Sequence, residues 1–137
     1  MTPAQQSAAN LIFLALAVWK EASDQPAAGQ LAVAYSVLTR VLHPRWWGHD
    51  LLSVLFDPEQ YDCFTIKGDP DLVRWPKSSD PSWDACVQAA QSAIDGSQPN
   101  PAPDATSYYD ISIPAPAWAT EPQFVAAIGR LRFYRVE

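Results

Sequence analysis

The sequence predicts an α+β domain, mainly helical, with a small antiparallel sheet at its C-terminal end. Three observations carry this. Residues 11 to 42 hold two apolar stretches at helical spacing, parted by Pro26. Asp80-Pro81 and Gly96 bracket a further helix as cap, first-turn proline and stop. The tail "FVAAIGRLRFYRV" reads as a hairpin of two strands turning at Gly129-Arg130. Helices first and strands last is the order of an α+β chain.

Taken in order, Thr2-Pro3 is a good helix start, with proline at the first position, and the first helix runs to about Ala22. Its run of nine apolar residues, Leu11 to Trp19, marks a buried segment. A second helix begins near Ala28, with Leu31, Ala34, Tyr35, Leu38, Val41 and Leu42 at helical spacing, and stops before Pro44. Asp50 caps a short third helix over "LLSVLF". The turn-rich stretch "DPEQYDCFTIKGDPDLVRWPKSSD" is long for a compact domain, which keeps such a segment for function. Along the Asp80 helix, Trp83, Val87, Ala90 and Ile94 form the expected apolar face. Past the proline-rich loop Gly96–Ser107, "SYYDISI" has strand composition.

A chain of 137 residues, 48% apolar and 18% charged, is one globular domain over residues 1–137. Nine basic against fifteen acidic residues give a net charge of -6, with no Lys/Arg stripe, which argues against a nucleic-acid partner. The same charge excludes electrostatic attraction to an anionic membrane or wall, so recognition of a wall must rest on shape and stacking. Leu11 to Trp19 is about half the ~20 residues needed to cross a bilayer, so no membrane span is expected. "MTPAQQSAAN" lacks the basic start of a signal peptide, so the chain is expected to be made in the cytoplasm and to act after release. Cys63 and Cys86 form no metal-spacing motif and read as two buried thiols, with one disulfide as the alternative. His43 and His49 also lack metal spacing, and both precede Cys63, against the nucleophile-first order of the Cys–His wall peptidases. No metal or cofactor is expected.

Glu21 is the conspicuous acid. It sits two residues past the apolar run, beside Trp19, in the last turn of its helix. Desolvation against apolar side chains and the negative end of the helix dipole would both raise its pKa, as a general acid needs. The bland alternative is a surface charge at a fraying helix end. Trp46 and Trp47 in "HPRWWGH" read as core and staple residues, and Trp118 in "PAPAWAT" as a candidate sugar-stacking ring. Tyr108 and Tyr109 would point to opposite faces of a strand, so at most one reaches a cleft.

"WKEASDQPAAGQLAVAYSVLTRV", Trp19 to Val41, resembles the opening motif of the SleB-type cell-wall hydrolases, the spore cortex-lytic family. There an acid-Ala step ends the first helix and a Gly-rich entry leads into the second. Three further blocks follow in the family's order: "DPEQYDCF", "DATSYYD" and "IGRLRFYR" are similar to its Pro-x-Gln-Phe-Ser, Ala-Thr-x-Tyr-Tyr-Asn and Gly-x-His-x-Phe-Tyr segments. The resemblance covers about Leu11 to Arg135. Departures are Ser23-Asp24-Gln25 for the family's Arg-Gly-Glu, Thr39 for its Asn, and Asp110 for the Asn after the tyrosines.

The resemblance implies a lysozyme-like fold and cleavage of peptidoglycan glycan strands between N-acetylmuramic acid and N-acetylglucosamine. It points to lytic transglycosylation with Glu21 as the single general acid and base. Gln60, Tyr61, Tyr108 and Trp118 are the candidate substrate-binding residues, Gln60 through an amide suited to a sugar acetamido group or hydroxyl. A water-using muramidase is the alternative, its second carboxylate sought among Asp24, Asp57, Glu59 and Asp62, whose ordinary reading is turn and cap. A catalytically silent glycan-binding or phage structural module is the other. A monomer is expected. The missing leader suits a compact phage-type endolysin and equally an enzyme exported by another route.

Overall fold

The computed structural model describes residues 1–57, 60–61, 64 and 70–137, with the backbone alone at residue 71. Helix α1, Pro3–Ala22, starts in a capping box: Thr2 Oγ1 accepts from the Gln5 amide at 3.1 Å and Gln5 Oε1 accepts from the Thr2 amide at 2.8 Å. From Leu14 to Lys20 every residue of α1 is buried, so the helix passes through the core and is covered on all sides. Helices α2 (Ala27–Leu42), α3 (Leu51–Leu55) and α4 (Pro81–Asp95) all pack on it. Pro26 separates α1 from α2, Asp50 caps α3 through the Ser53 amide at 2.8 Å, and Asp80 caps α4 through the Ser82 amide at 2.9 Å. Gly96 ends α4 in the left-handed conformation, φ 65°.

The apolar face expected on α4 is rotated. Cys86, Ala89, Ala90 and Ala93 are buried, Trp83 and Val87 are half-buried, and Ile94 is exposed. Small side chains let α4 lie close against α1 and α2, and one further residue, about 100° round the helix, carries Ile94 out to solvent. The Cys86 thiol is free and sealed in the core, and burial pushes its pKa up to about 12. Cys63 lies outside the described residues.

The sheet is antiparallel throughout, β1 (Ser107–Asp110), β3 (Leu131–Tyr134) and β2 (Phe124–Ile128) in that spatial order. "SYYDISI" is strand only in its first four residues, because Asp110 Oδ1 accepts from the Ser112 amide at 2.9 Å and turns the chain away. Leu131 and Phe133 face the core, and Leu131 reaches within 3.7 Å of where a Cβ on Gly29 would stand, so the hairpin lies directly on α2. The hairpin turns at Gly129, φ 55°, where an added Cβ would meet Gln25 Oε1 at 2.7 Å and Pro26 Cδ at 2.8 Å. Gln25 Oε1 accepts from the Arg130 amide at 3.1 Å, which fastens the hairpin tip to the α1–α2 turn. Helical layer and sheet thereby meet beside Glu21.

Candidate active site

Glu21 lies in the last turn of α1, half-buried, where the backbone carbonyls have no helical partner. Two side chains from elsewhere take those carbonyls. Gln30 Nε2, buried on α2, donates to Ala22 O at 3.2 Å and Ser23 O at 3.4 Å. An Arg74 guanidinium nitrogen donates to Lys20 O at 3.3 Å while its carbon stands 4.4 Å from the Trp19 ring centroid. Lys20, buried, places its ammonium 4.6 Å from the Trp75 ring centroid, and Trp19 Nε1 donates to Ser82 Oγ at 3.0 Å. The acid's turn is therefore clamped from α2, from residues 74–75 and from the start of α4.

Glu21 opens onto a cleft of about 360 Å³. Gln60, Tyr61, Tyr108 and Trp118 line it as well, so all five residues singled out from the sequence meet in one place. Tyr61 is 3% exposed and belongs mainly to the core, with only an edge on the cleft. Tyr108 rests on Phe133, ring centroids 5.7 Å apart. Tyr109, on the opposite face of β1, stacks on Tyr134 at 6.1 Å. Trp118 stands edge-on to Tyr134 at 5.7 Å, which fixes its ring while leaving it half-buried.

Arg40, Ser107, Trp46 and Val136 complete the lining, and sequence reasoning did not reach them as site residues. Arg40 is 7% exposed, yet its Nε donates to Thr106 O at 2.6 Å and its two terminal nitrogens reach Ser107 Oγ at 3.2 Å and Gln60 Oε1 at 3.4 Å. Its guanidinium lies 5.1 Å from the Trp47 ring centroid and 5.7 Å from that of Tyr61. In the sequence it is one more residue of a helix, and nothing local marks it. The tryptophan pair divides: Trp47 is buried and donates to Arg40 O at 2.9 Å, as a staple should, whereas Trp46 is 62% exposed and lines the cleft. The reading of both as core residues is corrected for Trp46. Neighbouring residues in a loop that bends sharply at Gly48, φ 107°, need not share a face.

The expected apolar wall also differs. Trp19 is buried but is not among the residues lining the cleft; its indole faces Arg74 and Ser82. Two residues along a helix are about 200° apart in direction, so Trp19 and Glu21 point opposite ways. The apolar surface beside the acid comes from other elements, through Tyr61, Tyr108, Trp118 and Val136.

Among the described residues, Glu21 is the one carboxylate on the cleft. Asp24 points instead to Arg130, which also binds Asp110 at 3.2 Å, and the guanidinium holds the Asp24 carboxyl below the usual carboxylate range. Asp57 is half-buried and not part of the lining, and Glu59 and Asp62 lie outside the described residues. Among the described residues no group of three His, Cys, Asp or Glu is placed to hold a metal, and no helix is long and apolar enough to cross a membrane.

A family model described as Cell Wall Hydrolase matches residues 24–134. No curated protein matches the sequence. Two solved structures share the fold, each with a TM-score of 0.70 and each covering 91% of this chain. One is the catalytic domain of the germination-specific lytic transglycosylase SleB from Bacillus anthracis, 23% identical and covered over 93% of its length. The other is the catalytic domain of the Bacillus cereus SleB protein, 25% identical and covered over 88%.

Proposed function

The chain belongs to the cell wall hydrolase family, and from that premise we propose that it cleaves peptidoglycan as a lytic transglycosylase with Glu21 as its single acid and base. The observation that supports this most is the cleft's chemistry: one carboxylate among its described lining residues, with rings of Trp46, Tyr108 and Trp118 around it. A water-using glycosidase needs two carboxyl groups flanking the scissile bond, one to protonate and one to activate water or attack the sugar. Lytic transglycosylation needs one. Glu21 gives its proton to the glycosidic oxygen between N-acetylmuramic acid and N-acetylglucosamine as that bond breaks. The resulting carboxylate then removes the proton from the muramic acid's own 6-hydroxyl, whose oxygen bonds to C1 and closes a 1,6-anhydro ring. The acid is regenerated and no water is consumed. The SleB structure from Bacillus anthracis, described as a lytic transglycosylase, supports the same reading.

The clamp on the end of α1 suits this double use, because one carboxyl must address two substrate oxygens in turn from a fixed position. The aromatic lining suits a net-negative chain that must bind a glycan through stacking, without a basic surface. Glu21→Gln keeps the side chain's shape and removes its acid proton. Turbidity clearing of purified walls should slow by at least ~100-fold, the scale of general acid catalysis, with circular dichroism unchanged. Near-parental lysis by that variant would end the assignment.

A further inference from the structure

We propose that Arg40 is a positioning residue that turns the cleft floor into hydrogen-bond donors for the acetamido carbonyl of the glycan. This rests on the glycan reading of the cleft and adds what selects the sugar.

A guanidinium carries donors only. Facing Gln60 across 3.4 Å, it can meet only the amide's Oε1, so the Nε2 end of Gln60 is turned away from it. Gln60 lines the cleft, and among the described residues its Nε2 makes no protein hydrogen bond. Those N–H groups are left for a ligand acceptor. Arg40 is also tied to β1, donating to Ser107 Oγ at 3.2 Å. The neighbouring Thr106 hydroxyl has committed its one proton to Val136 O at 2.8 Å, so in its 3.4 Å contact with Ser107 the Ser107 hydroxyl donates, which leaves the Gln60 amide as the donor group at the floor.

Arg40 is in turn held rigidly. Its Nε is spent on Thr106 O, and the Trp47 and Tyr61 rings lie against the guanidinium. A lysine would keep the charge but could not bridge Thr106, Ser107 and Gln60 at once. The acceptor that such a floor recognises on a peptidoglycan strand is the carbonyl of the 2-acetamido group. A sugar stripped of its acetyl group presents an amine, a further donor, and leaves the floor's donors unmatched.

Binding separates this from a purely structural role of Arg40. In the Glu21→Gln protein, which should bind without cleaving, calorimetric titration would compare a peptide-free tetrasaccharide of peptidoglycan with the same sugar after removal of its acetyl groups. The acetylated form is expected to bind at least ~10-fold tighter, the effect of about 1.4 kcal/mol. Adding Arg40→Lys leaves the charge in place, so any repulsion of the amine persists, but the preference should fall to within about threefold. Gln60→Met, which removes the donor with Arg40 intact, should do the same. Folded variants that keep the parental preference, or lose affinity for both sugars equally, overturn the inference. Should Arg40→Lys not fold, nuclear Overhauser contacts in the parent decide: Gln60 Nε2 protons should lie against the bound acetyl group, and Nε2 protons found against Arg40 overturn it. Binding of neither sugar by the parent would contradict the glycan reading itself, whereas binding without acetyl preference contradicts only the role of Arg40.

Discussion

On one side of the cleft, Glu21 ends a helix that has been buried for the seven residues from Leu14 to Lys20, and its last carbonyls are taken by Gln30 and Arg74. On the other side, Tyr108 and Trp118 are half-buried and are held by ring contacts with Phe133 and Tyr134. The first wall is fixed by directional hydrogen bonds, which set an atom's position closely; the second is fixed by packing, which sets a surface. A proton must be delivered at one atom, while a sugar face can be met by any flat apolar surface of suitable size. The two walls therefore divide the work of catalysis and binding.

Changes at the two walls should separate in kinetics, and the joint between them should affect both. Gly129→Val is expected to have the largest effect. It forces a β-branched residue to φ 55° with its Cβ 2.7 Å from Gln25 Oε1, and should cost about 2–3 kcal/mol of stability by chemical denaturation, with activity falling as the hairpin leaves the α1–α2 turn. An unchanged denaturation midpoint would mean that the hairpin is not pressed onto that turn.

Gln30→Leu comes next. It strips the side-chain donor from Ser23 O and from Ala22 O, which keeps the Gln25 amide at 3.0 Å, and should cost about 0.5–1.5 kcal/mol, the net worth of a hydrogen bond. The loosened turn should lower kcat more than it raises KM. Trp118→Ala should do the reverse, raising KM by about tenfold, or about 1.4 kcal/mol, with kcat little changed. If Trp118→Ala lowers kcat alone, the division between the walls is wrong.

The smallest change should come from Arg130→Ala, on the exposed bridge to Asp24 and Asp110. Both carboxyls have depressed pKa values, through the Arg130 hydrogen bond for Asp24 and mainly through the Ser112 amide for Asp110. A depressed carboxylate adds stability above its ordinary pKa of 3.8 and loses it as pH falls through the lower folded value. Arg130→Ala should therefore reduce stability slightly at neutral pH and flatten its decline below pH 3.8. An effect confined to acid pH would reverse that sign.

What could be read in the sequence follows the same physical division. Caps and stops are local chemistry, so Thr2-Pro3, Asp50, Asp80 and Gly96 marked element ends that the structure keeps. Glu21 was visible because a charge ending a long apolar run is a local anomaly. Arg40 was not, because its role depends on Thr106 and Ser107, residues far along the chain that β1 brings back against α2. Trp46 was lost for a related reason: which of two adjacent tryptophans turns outward is settled by the bend at Gly48 and by the bond from Trp47 to Arg40. The partner of Trp19 was misread because Arg74 and Ser82 reach it from more than fifty residues along the chain, Arg74 from a segment with no helical pattern and Ser82 from the start of α4.

The central claim, one acid serving twice without water, is tested most directly by the mass of the products. Purified peptidoglycan digested to completion should yield fragments ending in 1,6-anhydro-N-acetylmuramic acid, each lighter by one water than a hydrolysis product, with no new ends reducible by borohydride. Fragments that carry the added water throughout, and gain reducible ends in proportion to cleavage, would contradict the account and require a second carboxylate at the cleft.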